Sequence, residues 1–297
     1  MNDQDLGRSW LEALEHQRRL SRHTLENYSR ALGLLFHLKE STGLRDLESQ
    51  HVRRFVAQLH ARGLSGRTLA LTLSAWRGFF HWLARHRGFA ANPAHGVRAP
   101  KSPRMLPKAL SVEQVQQLLD APGSETPALL RDRAMFELLY SSGLRLGEIV
   151  ALDAGDGRLD LKQGEVTVTG KGAKTRTVPV GSRAAETLRA WLKARAQLAA
   201  PGERALFVGA RGKRIAPATV QARLRAWARR QGLGASVHPH MLRHSFASHV
   251  LQSSQDLRAV QEMLGHASIS TTQVYTHLDF QALAKVYDAA HPRARRK

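Results

Sequence analysis

Over the first ninety positions apolar residues return every third or fourth place, and on a helix of about 3.6 residues per turn this gathers them onto one face. Leu11, Leu14 and Leu20 mark a first stripe. Behind Thr24 the run LENYSRALGLLFHLKE sets Leu25, Tyr28, Leu32, Leu35 and Phe36 on one side. Leu47 to Leu59 predicts a third helix and Leu69 to Leu83 a fourth, with Gly43, Gly63 and Gly88 as stops. The periodicity ends at NPAHGVRAPKSPRMLPKAL (92–110), where four prolines among basic residues predict an extended linker. Ser111 then opens a helix, with Glu113 in its first turn and Val115, Leu118 and Leu119 on its apolar side.

Further helices are expected over 127–140 and from Arg145, after the Ser141-Ser142-Gly143 break. EVTVTGKGAKTRTVPV (165–180) alternates instead, as two short strands joined by a Gly- and Lys-rich turn. The remainder is helical apart from loops around 201–210 and 232–237. The pattern yields a mainly α fold with a small β-sheet (α+β). It consists of a helical bundle over 1–90, a linker over 91–110 and a mixed domain over 111–297.

Composition alters this picture chiefly through charge. Forty-five Lys and Arg against 24 Asp and Glu leave +21. Such an excess repels itself in a free protein and favours a polyanionic partner, nucleic acid being the foremost. A GC-rich genome explains Arg over Lys but not the shortage of acids. The absence of cysteine excludes disulfides, thiolate zinc sites and a cysteine nucleophile. No apolar run approaches the ~20 residues of a membrane span, and the first twenty residues lack a signal-peptide pattern. A cytoplasmic protein is expected.

Several groups could carry chemistry, and each has a plainer reading. In HPHMLRHSFASH, His240 and Arg243 share a helical face and could grip one phosphate, or be a solvated basic face. His240 and His244 also have the i, i+4 spacing of a metal pair, but no nearby acid supplies a third ligand. Arg145 and Glu148 in GLRLGEI are either a surface ion pair or a guanidinium held ready for a phosphate. TGKGAKTR fails the Walker A pattern, because Gly164 is one residue too far from Gly170 and Gly172 follows Lys171 where Ser or Thr is needed. Lys171 remains a turn lysine or a mobile ammonium reaching into a site. In LGHASISTTQVYTH, the helix 257–264 ends at Gly265, His266 follows, and Ser268 or Ser270 can cap a short helix bearing Tyr275. That tyrosine could be packing, a phosphorylation site or a reactive hydroxyl.

As a set, GLRLGEI, the TGKGAKTR hairpin, HPHMLRHSFASH, LGH and VYTH resemble the tyrosine site-specific recombinases of the phage-integrase family. Within them the chain is similar to Xer recombinases of the XerC type, the ending YTHLDFQALAKVYDAAHPRA in particular. The resemblance covers essentially the whole chain. It implies a core-binding domain and a catalytic domain clamping DNA, and a C-terminal interaction tail in which Leu283, Val286 and Tyr287 share one helical face. It also implies Arg145 and Arg243 as phosphate-binding arginines, His240 and His266 as the two histidines, Lys171 as general acid and Tyr275 as nucleophile. Glu148 is expected to support Arg145. Neither metal, ATP nor other cofactor is implied. The implied partners are double-stranded DNA bearing a dif-like site, a XerD-type paralogue and an FtsK-type DNA translocase. The loop LDAGDGRLDLKQGE is slightly longer than the family spacing, so Lys174 stands as the alternative to Lys171. The rival readings are a phage or mobile-element integrase, and a DNA-binding protein without catalysis.

Overall fold

The computed structural model describes residues 2–18, 20–101, 109–120, 126–170, 174–233, 237–265 and 280–294. The chain divides after Met105 into two compact units. The first holds α1 (Asp3–Arg18), α2 (Arg22–Leu38), α3 (Ser49–Ala61) and α4 (Gly66–Arg87). Its core is aromatic: Trp10, Phe55, Trp76, Phe79 and Phe80 are buried among leucines. Trp76 donates from its indole nitrogen to the Ala31 carbonyl at 2.7 Å, so the largest side chain is buried with its polar atom satisfied. Trp10 stacks on Tyr28, with ring centroids 5.5 Å apart.

Three local expectations shift. The buried side of α1 is Leu6, Trp10 and Leu14, at i, i+4 and i+8, while Leu11 is half-buried and Leu20 lies past the helix end. A tryptophan, not a leucine, anchors that stripe. The cap of α2 is Ser21, whose hydroxyl accepts from the Thr24 amide at 3.3 Å, so the helix begins before Thr24. Gly43 ends no helix: α2 stops at Leu38, and Gly43 precedes a single 3-10 turn, Leu44–Asp46. The proline-rich stretch also begins in a packed state. Arg77 donates to the carbonyls of Ala94 and Val97, and Asn92 donates to that of Arg77, which buries Ala94 and Val97 against the bundle.

The second unit opens with α5 (Val112–Leu119), capped reciprocally by Ser111 and Gln114. Next come α6 (Pro127–Ser141), buried along its second half, and α7 (Leu146–Ala151). The expected hairpin is strands β2 (Glu165–Thr169) and β3 (Thr175–Pro179), antiparallel, with Val166 opposite Val178 and Thr169 opposite Thr175. An unexpected edge strand, β1 (Leu159–Asp160), pairs with β2. It lies in the long loop after α7, so that loop carries more than a surface turn. Helices α8 (Ser182–Ala194), α9 (Pro217–Arg230), α10 (Pro239–Ser254), α11 (Leu257–Leu264) and α12 (Phe280–Ala290) complete the unit. The predicted loop around 201–210 is irregular yet buries Ala205, Leu206, Phe207 and Val208, because isolated bridges to Asp153 and Arg214 satisfy its backbone. No helix among the described residues is long and apolar enough to cross a membrane.

Helix α12 packs on α10 and β3 of its own unit. The buried Tyr287 hydroxyl bonds the Ser141 hydroxyl at 2.7 Å, and the Ala294 carbonyl accepts from the Ser182 amide at 2.9 Å. Arg293 Nε donates to Glu137 Oε2 at 3.0 Å, and its Nη2 donates to Asp120 at 2.9 Å and to the other Glu137 oxygen. Glu137 is fully buried and burial pushes its carboxyl up, so Arg293→Ala breaks a buried ion pair, which costs roughly 3–5 kcal/mol. The expected result is a strong fall in the midpoint of thermal unfolding. Replacing both partners together, Glu137→Leu with Arg293→Met, recovers most of the loss, because neither partner is then left buried without the other.

Candidate active site

The site starts at the N-terminus of α7. Arg145 is the cap residue, in extended conformation, and Glu148 is the third residue of the helix. The Glu148 carboxylate reaches back to the Arg145 amide (Oε2, 2.8 Å) and to the Arg145 guanidinium (Oε1, 2.8 Å). Arg176 of β3 meets the same carboxylate as a fork, Nη1 to Oε1 at 2.7 Å and Nη2 to Oε2 at 2.9 Å. Four donors thus fill a carboxylate whose side chain is 4% exposed. Burial alone would raise its pKa, but the hydrogen bonds from Arg176 and Arg145 outweigh this and hold it at about 2.

Arg243, one turn beyond His240 on α10, is 5% exposed. Its Nη1 donates to the Gly143 carbonyl at 2.5 Å and its Nη2 to the Leu264 carbonyl at 2.7 Å. Gly143 has φ +57°, and a Cβ there would fall 2.4 Å from the Phe246 ring, so only glycine lets this carbonyl face Arg243. Among the described residues no acceptor is bonded to Nε or to the second hydrogen of either Nη. Burial first, then repulsion from Arg145 and Arg176, lowers the Arg243 pKa to about 10. A cation crowded in this way by like charges is suited to an anion.

The third support is the C-terminus of α11, whose last carbonyls lack helical partners and carry the negative end of the helix dipole. Met263 accepts from Arg176 Nε at 2.8 Å, Leu264 from Arg243, and Gly265 from Arg145 Nη2 at 3.4 Å. Arg145 keeps 42% of its side chain exposed, which gives the cluster an open face. On α10, the exposed His240 ring is held below the usual imidazole pKa, first by partial burial and then by the charges of His238, Arg243, His244 and Arg145. It is therefore neutral at pH 7 and able to take a proton.

Of the residues singled out from the sequence, Arg145, Glu148 and Arg243 converge in one hydrogen-bonded cluster, with His240 on the helix that supplies Arg243. Lys174 is exposed, at the head of β3, and its carbonyl accepts from the Gly170 amide. Lys171, His266 and Tyr275 lie outside the described residues. The backbone does bring their neighbours in: a Cβ on Gly170 would lie 3.5 Å from Glu148 Oε1 and 3.7 Å from Arg145 Nη1. Arg176 was missed by sequence reasoning, although a signal existed. It sits opposite the buried Val168 and two places from the buried Val178, a charged residue on the apolar face of a strand.

Because the Glu148 pKa in the fold lies below its usual 4.5, its ionisation adds stability that is complete above about pH 5 and drains away as pH falls towards 2. At neutral pH this is worth about 3 kcal/mol. Thermal midpoints taken from pH 6 down to pH 2.5 should therefore fall more steeply for the wild-type protein than for Glu148→Gln. Parallel curves would show that Glu148 does not ionise in this environment.

The profile of the phage integrase family matches residues 108–282, and that of the phage integrase N-terminal SAM-like domain matches 8–87. The chain is 56% identical to tyrosine recombinase XerC 1 of Ralstonia nicotianae, across 97% of this chain and 94% of that one. It is 53% identical to tyrosine recombinase XerC of Pseudomonas aeruginosa, across 97% and 95%. Among solved structures it is similar to XerH site-specific recombinase bound to palindromic difH substrate, in a post-cleavage complex. There the TM-score is 0.70 at 21% identity, covering 97% of this chain and 81% of that one, a likeness of fold. The arginine cluster built on Glu148 thus stands in a chain more than half identical, along nearly its whole length, to named tyrosine recombinases: it belongs to the phage integrase family, as a tyrosine recombinase that cuts and rejoins DNA.

Proposed function

We propose that this chain acts on double-stranded DNA at a dif-like site, with Tyr275 as nucleophile, and resolves chromosome dimers during cell division. The observation that carries the reading is the charge of the cluster. Arg145, Arg176 and Arg243 against Glu148 leave two positive charges in a partly dry site. A phosphodiester carries one negative charge, and gains a second as an oxygen nucleophile adds to it. The cluster matches the later state better than the earlier one, which is the condition for catalysis.

In this reading the Tyr275 oxygen attacks the phosphorus in line, forming a 3′-phosphotyrosyl bond and expelling the 5′ oxygen. Arg145 and Arg243 bind the non-bridging oxygens, with hydrogen bonds from His240 and His266. His240 accepts the phenol proton, which at a pKa near ~10 must be removed at neutral pH. Lys171, or Lys174 in its stead, protonates the leaving 5′ oxygen. One phosphoester replaces another, so bond energy is conserved and no ATP is consumed. The guanidiniums supply the fixed charge that other phosphoryl-transfer sites take from Mg²⁺. Attack by a 5′-hydroxyl of another strand then completes exchange through a Holliday junction.

Residues 1–90 serve as the core-binding domain, joined through 91–110 to the catalytic domain at 111–297. The +21 charge supports a DNA partner and a cytoplasmic, nucleoid-associated location. The XerC likeness supports a XerD-type paralogue on the other half-site, in a heterotetrameric synapse, and activation by an FtsK-type translocase. The segment from α12 to the C-terminus is the interaction tail.

A nicked duplex carrying the site should trap the wild-type protein covalently, without added metal or nucleotide, as read by denaturing gel electrophoresis. Tyr275→Phe should abolish the adduct, and persistence of the adduct would refute that nucleophile. Arg243→Ala should lose cleavage about 100-fold or more while retaining most DNA affinity. Equal losses would make it a binding contact only. A 5′-phosphorothiolate leaving group needs no general acid, so it should rescue Lys171→Ala. Without rescue, the role passes to Lys174.

A further inference from the structure

We propose that Arg176 is the positioning residue of this site, tying β3 and the C-terminus of α11 to Glu148 and so holding the supports of Arg145 and Arg243 in register. The inference rests on the functional reading above.

Arg176 uses all three of its nitrogens on protein acceptors, Nε on Met263 and both Nη on Glu148. Its side chain is 12% exposed, against 42% for Arg145. With Nε committed as well and both Nη spent on a carboxylate, it stands as a brace, whereas Arg243, itself 5% exposed, has no protein acceptor on Nε among the described residues. Its two attachments are also those of the phosphate-binding arginines, because Arg145 shares the Glu148 carboxylate and Arg243 shares the terminus of α11. Loss of Arg176 therefore loosens both supports at once.

The chain is drawn close around this side chain. Gly265 has φ +61°, and a Cβ there would lie 2.9 Å from Arg176 Cδ, so the backbone leaving α11 passes directly over the arginine stem. His266 is the next residue in sequence. On the other side β3 leads back through Lys174 to the hairpin tip, where Gly170 already lies against Glu148. The same brace thus anchors the strand after the hairpin lysines and the helix before His266 and Tyr275.

A buried ion pair is weak support for stability, since apolar packing can replace it at no loss. What packing cannot supply is direction. The planar fork fixes both oxygens of Glu148, while Nε, in the same plane, fixes a carbonyl of another element. Lysine has the charge and the reach, but it cannot make the three bonds together.

The test measures the rate of phosphotyrosyl formation on the nicked site duplex, DNA affinity, and the pH dependence of that rate, in the full chain. Arg176→Ala should slow adduct formation between about 10- and 100-fold, the scale of a misplaced catalytic group, with DNA affinity unchanged. Having lost two of four donors, Glu148 should titrate nearer the usual carboxylate range, so the variant's rate should fall more steeply in acid than the wild-type rate, whose acid limb comes from His240 alone. In a Glu148→Ala background Arg176→Ala should cost less than about twofold more, as for two residues acting through one contact. Costs that multiply would mark Arg176 as an independent phosphate contact and overturn the proposal. If Arg176→Ala does not fold, Arg176→Lys is decisive: the slowed rate and steeper acid limb support positioning, and a wild-type rate and profile refute it. No adduct from the wild-type protein overturns the functional reading and this proposal with it. A wild-type adduct with an unaltered Arg176→Ala overturns this proposal alone.

Discussion

A single carboxylate with four donors organises the catalytic unit. Glu148 is almost wholly buried, and a buried carboxylate is tolerated only when each oxygen is satisfied. Its partners come from the N-terminus of its own helix and from a strand 28 residues further on. Satisfying it therefore decides how α7 meets the sheet. Arg176, once bound there, reaches on to α11, and the end of α11 in turn receives Arg243. Removing this one acid would leave two guanidiniums facing each other without the counter-charge they share and would cut the link between α7 and β3.

The arrangement is electrostatically unfavourable when nothing is bound. Three arginines share one acid, and the depressed pKa of Arg243 records their mutual repulsion as well as its burial. The fold offsets this with groups that need no charge of their own. The carbonyls of Gly143, Met263, Leu264 and Gly265 all point at guanidiniums, three of them from a helix C-terminus where the dipole is negative. The donors are thereby fixed before any phosphate arrives, so little reorganisation is needed when charge develops on it.

The C-terminal segment shows the same economy of buried polar groups. Tyr287, Ser141 and Gly181 form a chain of hydrogen bonds, and Arg293 pairs with the buried Glu137. In this structure the segment completes the core of its own unit, since Leu283, Tyr287, Ala290 and Ala294 are part of that core. A tail bound through specific ionic and hydroxyl contacts has one defined seat, and any partner surface offered to it must present the same groups.

The amino-acid sequence by itself determined the helices of both units, the hairpin, the surplus positive charge and the order of the candidate residues. These are local or additive properties: periodicity reports which face of an element is buried, and charge sums without regard to fold. Nearest-neighbour chemistry already escaped it in places. Ser21 and not Thr24 caps α2, and Gly43 ends no helix, because several Ser, Thr and Gly positions satisfy the same local rule and packing chooses among them. Edge strand β1, the buried run 205–208 and the seat of the tail depend on pairings across many residues, which periodicity does not encode. At the site, the pairing of Arg145 with Glu148 was legible, being three residues apart on one helix. The convergence of Arg145, Arg176 and Arg243 on Glu148 and the end of α11 was not. A guanidinium in a strand becomes part of a phosphate site only when another element, 28 residues away, brings a buried acid to meet it, and that meeting is made by tertiary structure alone.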